Sequence, residues 1–264
     1  MIFLYRIGLI VYVLVAIPYF AVQGLYLRVV VDPMRLLHRP TGIRMLNSLI
    51  RFWGVNLFRM GVFLCGVKLH VTGYKPEKGR PYLVLSNHQA IVDIAFLFWA
   101  FRETHVKFVM KKELKWGIPN VSPATRRARF VFLDRKAGAE AGEKALAPFA
   151  AALKEENVGG VIFPEGTRSR DGNLRKFKVG GVAVLARELD FDVLTVTVDG
   201  TWHAATPLDL LRNLPGLHLH LHIEEPFPVE RLRRDTAGEL EKARGIMEKR
   251  LAGFRGKEAQ SSAA

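Results

Sequence analysis

Two short runs of residues carry side chains suited to proton transfer and to anion binding. The run Asn87-His88-Gln89-Ala90-Ile91-Val92-Asp93 places an imidazole five residues before a carboxylate, and Phe163-Pro164-Glu165-Gly166-Thr167-Arg168-Ser169 places a guanidinium close to a glycine. A carboxylate that holds one imidazole nitrogen leaves the other nitrogen free to accept a proton. Turn N–H groups and an arginine fork together can hold a phosphate. The first run therefore predicts a general base, and the second predicts an anion site.

Each run follows a stretch with the composition of a buried strand, residues 82–86 and 159–163. Functional sites gather at the carboxyl ends of strands in open α/β sheets. Taken singly, each run also fits an ordinary structure, a chance histidine or a surface turn with a solvated arginine. Together they favour one site, in which a substrate hydroxyl is deprotonated as it attacks an activated acyl group. Lys176 and Lys178, just beyond the turn, fit either the same anion or a solvated loop.

The two runs resemble the NHxxxxD and FPEGTRS signatures of the glycerolipid acyltransferase family, which includes 1-acylglycerol-3-phosphate acyltransferases. Residues 129–135, an aromatic strand that ends in Asp-Arg, and residues 109–114, with a Lys-x-Glu-Leu stretch, are similar to two further family blocks. A fourth block departs from the pattern, because Thr195 stands where proline is usual and Asp199 where a small residue usually precedes glycine. This departure leaves the acyl-chain or acceptor preference open. The resemblance covers residues 67–200.

The resemblance implies a reaction and a role for each matching residue. His88 is the general base and Asp93 orients it, while the predicted glycerol phosphate contacts are Glu165, Gly166, Thr167 and Arg168, with Arg135 and Lys111 as further phosphate contacts. The acyl donor is a thioester of coenzyme A or of acyl carrier protein. The acceptor is lysophosphatidic acid, and its acylation gives phosphatidic acid in phospholipid biosynthesis. Neither a cofactor nor a metal is implied, because a thioester is already activated.

Other interpretations stay open at this point. Another lysolipid acceptor, a lysophospholipid or a lyso-ornithine lipid, is compatible with the altered fourth block. The formal net charge of +14 fits anionic membrane lipids as partners, and also fits a non-catalytic protein that binds such lipids. Zinc-finger, RNP-like and basic-zipper patterns are missing, which argues against nucleic acid. His218, His220 and His222 alternate with leucines, so they form either a three-imidazole metal site or the polar side of an amphipathic strand.

The N-terminal segment predicts attachment to a membrane. Residues 7–27 carry no charge, and at about 1.5 Å per residue a helix of this length crosses a hydrocarbon layer of about 30 Å. Residues 46–67 are apolar but include arginines and asparagines, which favours an interfacial position or an embedded hairpin with the first helix. A cleaved signal peptide fits less well, since no small-x-small site ends the first run. The arginines that follow predict a catalytic domain on the cytoplasmic side of the cell membrane.

Beyond residue 66 the pattern predicts an α/β fold, a mixed and largely parallel sheet flanked by helices, behind the N-terminal membrane-anchoring helical segment. Strands are expected at residues 68–72, 82–86, 107–110, 130–133, 161–163, 193–198 and 217–223, and helices at residues 141–156, 179–189 and 239–254. We divide the chain into a membrane anchor at 1–66, an acyltransferase domain at 67–255 and a disordered tail at 256–264. The single cysteine, Cys65, excludes an intrachain disulfide.

Overall fold

The computed structural model describes residues 2–134 and 137–263, without the side chains of residues 2, 139 and 257–263. Its strands are β1 (Lys68–Gly73), β2 (Leu83–Ser86), β3 (Val106–Lys111), β4 (Val131–Leu133), β5 (Gly159–Ile162), β6 (Val193–Asp199) and β7 (His218–Ile223). Its helices are α1 (Ile2–Tyr26), α2 (Asp32–Leu37), α3 (Arg39–Cys65), α4 (Val92–Ala100), α5 (Val121–Arg127), α6 (Gly138–Glu156), α7 (Val179–Glu188), α8 (Pro207–Asn213), α9 (Glu230–Arg234) and α10 (Thr236–Ala263). Each predicted strand is present within two residues of its predicted bounds.

The strands form one sheet in the order β1-β7-β6-β2-β5-β3-β4. Strands β2 to β6 are parallel to one another, whereas β7 is antiparallel to β6 and pairs in parallel with β1. The prediction of a mixed, largely parallel sheet is therefore confirmed. We call the edge at which β2 to β6 end the carboxyl edge, and the opposite edge the amino edge. Because β2 lies between β5 and β6, the loops that follow these three strands meet at the carboxyl edge.

Helices cover both faces of the sheet, because side chains of successive strand residues point to opposite faces. In β2, Leu83 and Leu85 join the core beneath α6 and α7, whereas Val84 joins the core on the other face. That second core includes residues of α3 and α4. Each strand of the central sheet is thus buried on both sides, as in other parallel sheets.

The N-terminal helices differ in how much of their surface the protein covers. Helix α1 exposes large apolar side chains such as Phe3 (74%), Leu14 (65%) and Ile17 (66%). Two helical segments are long and apolar enough to cross a membrane, by length and composition alone. They are Phe3–Leu37, which includes α1 and α2, and Arg39–Cys65, which is α3. Helix α3, however, packs on α4, where Phe58 and Phe96 stack with ring centroids 4.9 Å apart. The boundary at residue 66 therefore separates surfaces of different hydropathy, whereas the hydrophobic core includes residues from both sides of it.

The C-terminal segment differs from its prediction. The backbone of residues 256–263, for which we predicted a disordered tail, continues helix α10 to Ala263. The first part of the helix packs against α7 and α9 through side chains such as Leu240 and Met247, which are buried. Composition alone suggested disorder there because small and polar residues dominate the end of the chain, but such residues can also extend an existing helix.

Candidate active site

His88 and Asp93 lie together at the carboxyl edge, as the sequence predicted. His88 stands two residues beyond β2, and Asp93 lies in the first turn of α4. His88 Nδ1 and Asp93 Oδ2 are 2.7 Å apart. The same carboxylate oxygen accepts the N–H groups of Gln89 (2.6 Å) and Ala90 (2.9 Å), so the loop curls around it. The carboxylate is fully buried and therefore fixed in place.

The partners of Asp93 determine which imidazole nitrogen carries the proton. Because Oδ2 already accepts two backbone N–H groups, it acts as an acceptor, and His88 Nδ1 must donate to it. Nε2 then carries the lone pair, and it has no hydrogen-bond partner among the residues that the structure describes. The ring stacks on Phe163 with centroids 4.0 Å apart, which holds its plane. An imidazole oriented in this way is able to accept a proton at Nε2.

Neighbouring side chains tie this loop to β6. Asn87 accepts the N–H of Val198 (2.7 Å) and donates to its carbonyl (2.8 Å), so its amide extends the sheet pairing. Thr201, just beyond β6, donates to Asp93 Oδ1. Thr201 was not among the predicted site residues. The sequence did show a polar residue just after a predicted strand. Only the strand order, in which β6 lies beside β2, shows that this residue is near Asp93.

Glu165, a predicted phosphate contact, binds backbone N–H groups through its carboxylate. Its Oε1 accepts the N–H of His88 (2.8 Å) and its Oε2 accepts the N–H of Arg175 (2.9 Å). The residue is only 2% exposed. Burial raises the pKa of this carboxyl to about 7, although the two backbone donors act in the opposite direction. Glu165 thus joins three loop segments.

The turn after Glu165 presents cations. Gly166 has φ +68°, a conformation that favours glycine, and its N–H donates to Phe163 O at 3.0 Å. Thr167 is exposed and Arg168 is half-buried, and Arg168 has no hydrogen-bond or carboxylate partner within the described part of the chain. The side chain of Lys178 crosses the turn, since a Cβ built on Gly166 would lie 3.3 Å from its Nζ. Arg168 and Lys178 are therefore two cations carried beside this turn.

The remaining predicted contacts are less central. Lys111 is exposed at the end of β3, which is two strands from β2 and hence about 10 Å away across the sheet. Arg135 lies outside the described residues. The predicted phosphate contacts therefore divide into Arg168, which borders the catalytic loop, and Lys111, which stands further along the same edge.

A cavity of about 750 Å³ opens beside the catalytic loop. Phe163, Gly166 and Lys178 border it on the side of His88. Its other walls come from β3, β4, α6, α7, α9 and α10. They combine small and apolar residues such as Met110, Leu146 and Gly181 with charged ones, which are Asp134, Glu143, Arg187 and Arg233. A cavity of this volume, with apolar and small residues in its wall, can hold an apolar chain.

The histidines of β7 form ring contacts. His70 stacks on His220 with centroids 4.5 Å apart, and His222 Nδ1 lies 2.8 Å from Thr72 Oγ1. Among the described residues, no group of three or more histidine, cysteine or acidic side chains is placed to hold a metal ion. The alternation in this strand thus corresponds to the polar side of an edge region.

Comparison with known proteins adds three findings. The family model described as Acyltransferase matches residues 68–199. The chain is 30% identical over 148 residues to a 1-acyl-sn-glycerol-3-phosphate acyltransferase of Limnanthes douglasii, covering 55% of this chain and 51% of that protein. It is 31% identical over 121 residues to the mouse (Mus musculus) 1-acyl-sn-glycerol-3-phosphate acyltransferase alpha, covering 45% and 41%. The chain thus spans about half the length of these relatives.

The fold is similar to a solved structure over nearly its whole length. The crystal structure of the 1-acyl-sn-glycerophosphate (LPA) acyltransferase PlsC from Thermotoga maritima superimposes with a TM-score of 0.64, covering 92% of this chain and 95% of that one. The sequence identity is 24%, so the likeness concerns the fold.

Proposed function

The chain belongs to the acyltransferase family, and from this premise we propose that it is a membrane-bound 1-acylglycerol-3-phosphate O-acyltransferase that forms phosphatidic acid. The observation that carries the proposal is the His88–Asp93 pair, 2.7 Å apart, beside a turn with Arg168, which has no partner among the described residues. A base without a nearby enzyme nucleophile suits a substrate that supplies its own hydroxyl. The names of the similar proteins agree with this acceptor.

In the proposed reaction, His88 Nε2 takes the proton of the acceptor's free hydroxyl. The hydroxyl oxygen forms a bond to the thioester carbonyl carbon, and Asp93 stabilises the imidazolium that results. When the tetrahedral intermediate collapses, the C–S bond breaks and the imidazolium returns its proton to the departing thiolate. The products are the diacyl ester and a free thiol. The donor is acyl-CoA or acyl carrier protein, and the thioester needs neither metal nor cofactor for its activation.

Arg168 and Lys178 are the proposed contacts of the acceptor phosphate, with Lys111 as a more distant contact. A guanidinium binds phosphate through two parallel N–H groups, which is a strong, charge-assisted interaction. Glu165 serves this site indirectly in our proposal, because its two backbone contacts hold the turn against the catalytic loop. Thr167, exposed beside Arg168, remains a candidate contact.

The cavity of about 750 Å³ is the proposed site of a fatty acyl chain. It adjoins Phe163, on which the imidazole stacks, so a chain within it ends near the base. The small residues of α7 that line it leave room that larger side chains would fill. A thioester whose chain lies in this cavity would bring its carbonyl to the reacting hydroxyl.

We further propose attachment to the cell membrane, with the catalytic domain on the cytoplasmic side. The exposed apolar surface of α1 supports this location. A groove of about 810 Å³ between α1 and α3 supports anionic membrane lipids as partners, because it is lined by Arg44, Arg51, Arg59 and Arg102 against the single acidic side chain of Glu103. Arginines beside apolar surface are suited to lipid phosphates.

Acceptor profiling of the detergent-purified full chain tests the proposed reaction. Thiol release from acyl-CoA and from acyl carrier protein thioester is measured with lysophosphatidic acid, a neutral-headgroup lysophospholipid and a lyso-ornithine lipid. We expect release to depend on lysophosphatidic acid. Equal rates with the other lysolipids would contradict lysophosphatidic acid as the specific acceptor. Absence of thiol release with every combination of donor and acceptor would favour a non-catalytic lipid-binding protein.

The variant His88→Ala tests the base in the same assay. We expect turnover to fall by about 10²–10⁴-fold with an unchanged unfolding midpoint. His222→Ala is the matched control, because His222 also has a hydroxyl partner (2.8 Å) and a carboxylate partner, Glu224 at 3.4 Å. Near-normal turnover of His88→Ala would refute the mechanism.

A further inference from the structure

A partly buried ion pair lies behind the loop that carries His88. Asp199, the last residue of β6, is 3% exposed, and Arg255 of α10 donates to both of its oxygens, from Nε at 2.9 Å and from Nη2 at 3.1 Å. This is the position at which the chain departs from the family's usual small residue. An arginine that binds a buried carboxylate through two N–H groups fixes its orientation as well as its charge.

The carboxylate of Asp199 orients a neighbouring amide. Its Oδ1 accepts Nε2 of Gln89 at 2.8 Å, and Gln89 is fully buried. The reverse orientation would place the amide oxygen against a carboxylate oxygen, which is repulsive. Asp199 therefore turns the amide oxygen of Gln89 toward Thr201 Oγ1 (3.0 Å) and Trp202 N (3.3 Å).

Both ends of Gln89 reach the catalytic carboxylate. Its backbone N–H donates to Asp93 Oδ2 at 2.6 Å, and its side-chain oxygen lies 3.0 Å from Thr201 Oγ1, whose single proton is shared between this oxygen and Asp93 Oδ1. A shift of Gln89 thus changes the donors on both oxygens of Asp93. Since Asp93 holds the imidazole of His88, such a shift also moves the base.

The end of α10 is seated by further contacts. Phe254 stacks on His220 with ring centroids 5.0 Å apart, and His220 lies opposite Asp199 in the β6–β7 pairing. Arg255 Nη2 also donates to Gly172 O at 2.6 Å, in the segment that follows the Arg168 turn. The helix therefore joins β6, β7 and this segment at one point.

We propose that Arg255 and Asp199 are positioning residues, through which helix α10 aligns the His88–Asp93 pair by way of Gln89 and Thr201. The inference rests on the roles proposed for His88 and Asp93. Neither Arg255 nor Asp199 touches a reacting atom, so their loss changes the geometry of the base and leaves substrate binding in place. The effect belongs to the catalytic rate, because misplacement of a base raises the barrier without removing a substrate contact.

The test compares Arg255→Gln, Asp199→Ala and the double variant in full-length protein, with 1-acylglycerol 3-phosphate and an acyl-CoA or acyl carrier protein thioester. We expect each single variant to lower kcat about tenfold with little change in either KM. The double variant should lose no more than a single variant, because both act through Gln89. If the kcat losses of the two single variants multiply in the double variant, or if only KM changes, the proposal is overturned.

Two further variants separate positioning from a general loss of stability. Arg250→Gln is the matched control, because Arg250 lies on the same helix and binds Glu224 through two N–H groups, at 2.7 and 3.1 Å. We expect it to keep wild-type kcat. In a Gln89→Met background, Arg255→Gln should have no additional effect on kcat, and an undiminished effect there would refute the route through Gln89.

The outcomes also separate this inference from the proposed function. If wild-type protein turns over and His88→Ala does not, while Arg255→Gln behaves like Arg250→Gln, the positioning role fails and the proposed function stands. If His88→Ala retains turnover, the proposed function fails first.

Discussion

Two clusters of buried charge lie at opposite edges of the sheet, and they differ in whether a polar atom is left without a partner beside an accessible cavity. At the amino edge, Lys107 is 2% exposed and its Nζ contacts Glu156 Oε2 (2.5 Å) and Ala128 O (2.6 Å). Glu156 also accepts two N–H groups of Arg129 and one of Asn47. Burial lowers the pKa of Lys107 to about 8 despite its carboxylate partner. The charged atoms there are all engaged.

The catalytic cluster at the carboxyl edge contains an opening. His88 Nε2 has no partner among the described residues, and a cavity of about 750 Å³ adjoins the loop. The cavity beside Lys107 measures only about 10 Å³. A perturbed, buried ionisable group is thus a weak sign of chemistry when it stands alone. An unengaged nitrogen next to accessible volume is the stronger sign.

Exchanging a carboxylate for an amide in each cluster tests this contrast most strongly. Asp93→Asn should lower kcat about 10³–10⁴-fold, because the amide cannot stabilise the imidazolium. Glu156→Gln should leave kcat of the folded protein intact and lower the free energy of unfolding by about 3–5 kcal/mol, since Lys107 loses its buried partner. Steady-state kinetics and thermal unfolding of both variants measure the two effects. If Glu156→Gln lowers kcat as much as Asp93→Asn does, the two clusters do not differ in their role in catalysis.

Two arginines give the next contrast. Arg129 is engaged by Glu155 and Glu156, whereas Arg168 has no such partner within the described ranges. Arg168→Ala should raise KM for lysophosphatidic acid about 10- to 100-fold, as expected for a lost hydrogen bond to a charged group, with an unchanged unfolding midpoint. Arg129→Ala should lower that midpoint and leave KM unchanged. If KM for lysophosphatidic acid is unaltered in Arg168→Ala, Lys178 and not Arg168 is the phosphate contact.

Glu165 gives the smallest effect, on the pH dependence of stability. Its folded-state pKa of about 7 exceeds the ordinary 4.5, so between these values the folded protein holds a proton that the unfolded chain has released. The free energy of unfolding therefore falls as pH rises, by at most about 1.4 kcal/mol per pH unit from this group. Glu165→Gln should remove that slope, whereas Glu113→Gln, at an exposed site, should retain it.

Unfolding of the three proteins between pH 4.5 and 7.5 measures the slopes. Comparison with wild type is needed because His105, whose pKa burial lowers to about 4, contributes a slope of the opposite sign. Identical slopes for wild type and Glu165→Gln would mean that the carboxyl is ionised throughout this range, and that its backbone contacts outweigh its burial.

Local pattern was sufficient for the strands and for the catalytic pair. The apolar stretch 82–86 indicated β2, and the five-residue spacing of His88 and Asp93 allowed a turn to bring them together. The reversed direction of β7 was not predictable, because strand runs indicate existence and not orientation. The contacts of Glu165 were not predictable for a related reason. Its partners are N–H groups at positions 88 and 175, and no residue type indicates where backbone donors will lie.

The contacts around Asp199 required the tertiary fold as well. Gln89 and Arg255 are 110 and 56 residues from it in the chain, and only the sheet order and the seat of α10 bring them together. The sequence did mark Asp199 as a departure from a family pattern. The structure gives that departure a reason, since a buried carboxylate at this place has an arginine partner.

Glu165 holds the chain by its peptide groups, and this determines which substitutions can disturb the contact. At residue 175, the donor is the main-chain N–H, so nineteen side chains there would preserve the contact equally well. Proline alone lacks that hydrogen. A library randomised at this codon would consequently look permissive, with one forbidden replacement, even though the link beneath it joins the two halves of the catalytic centre.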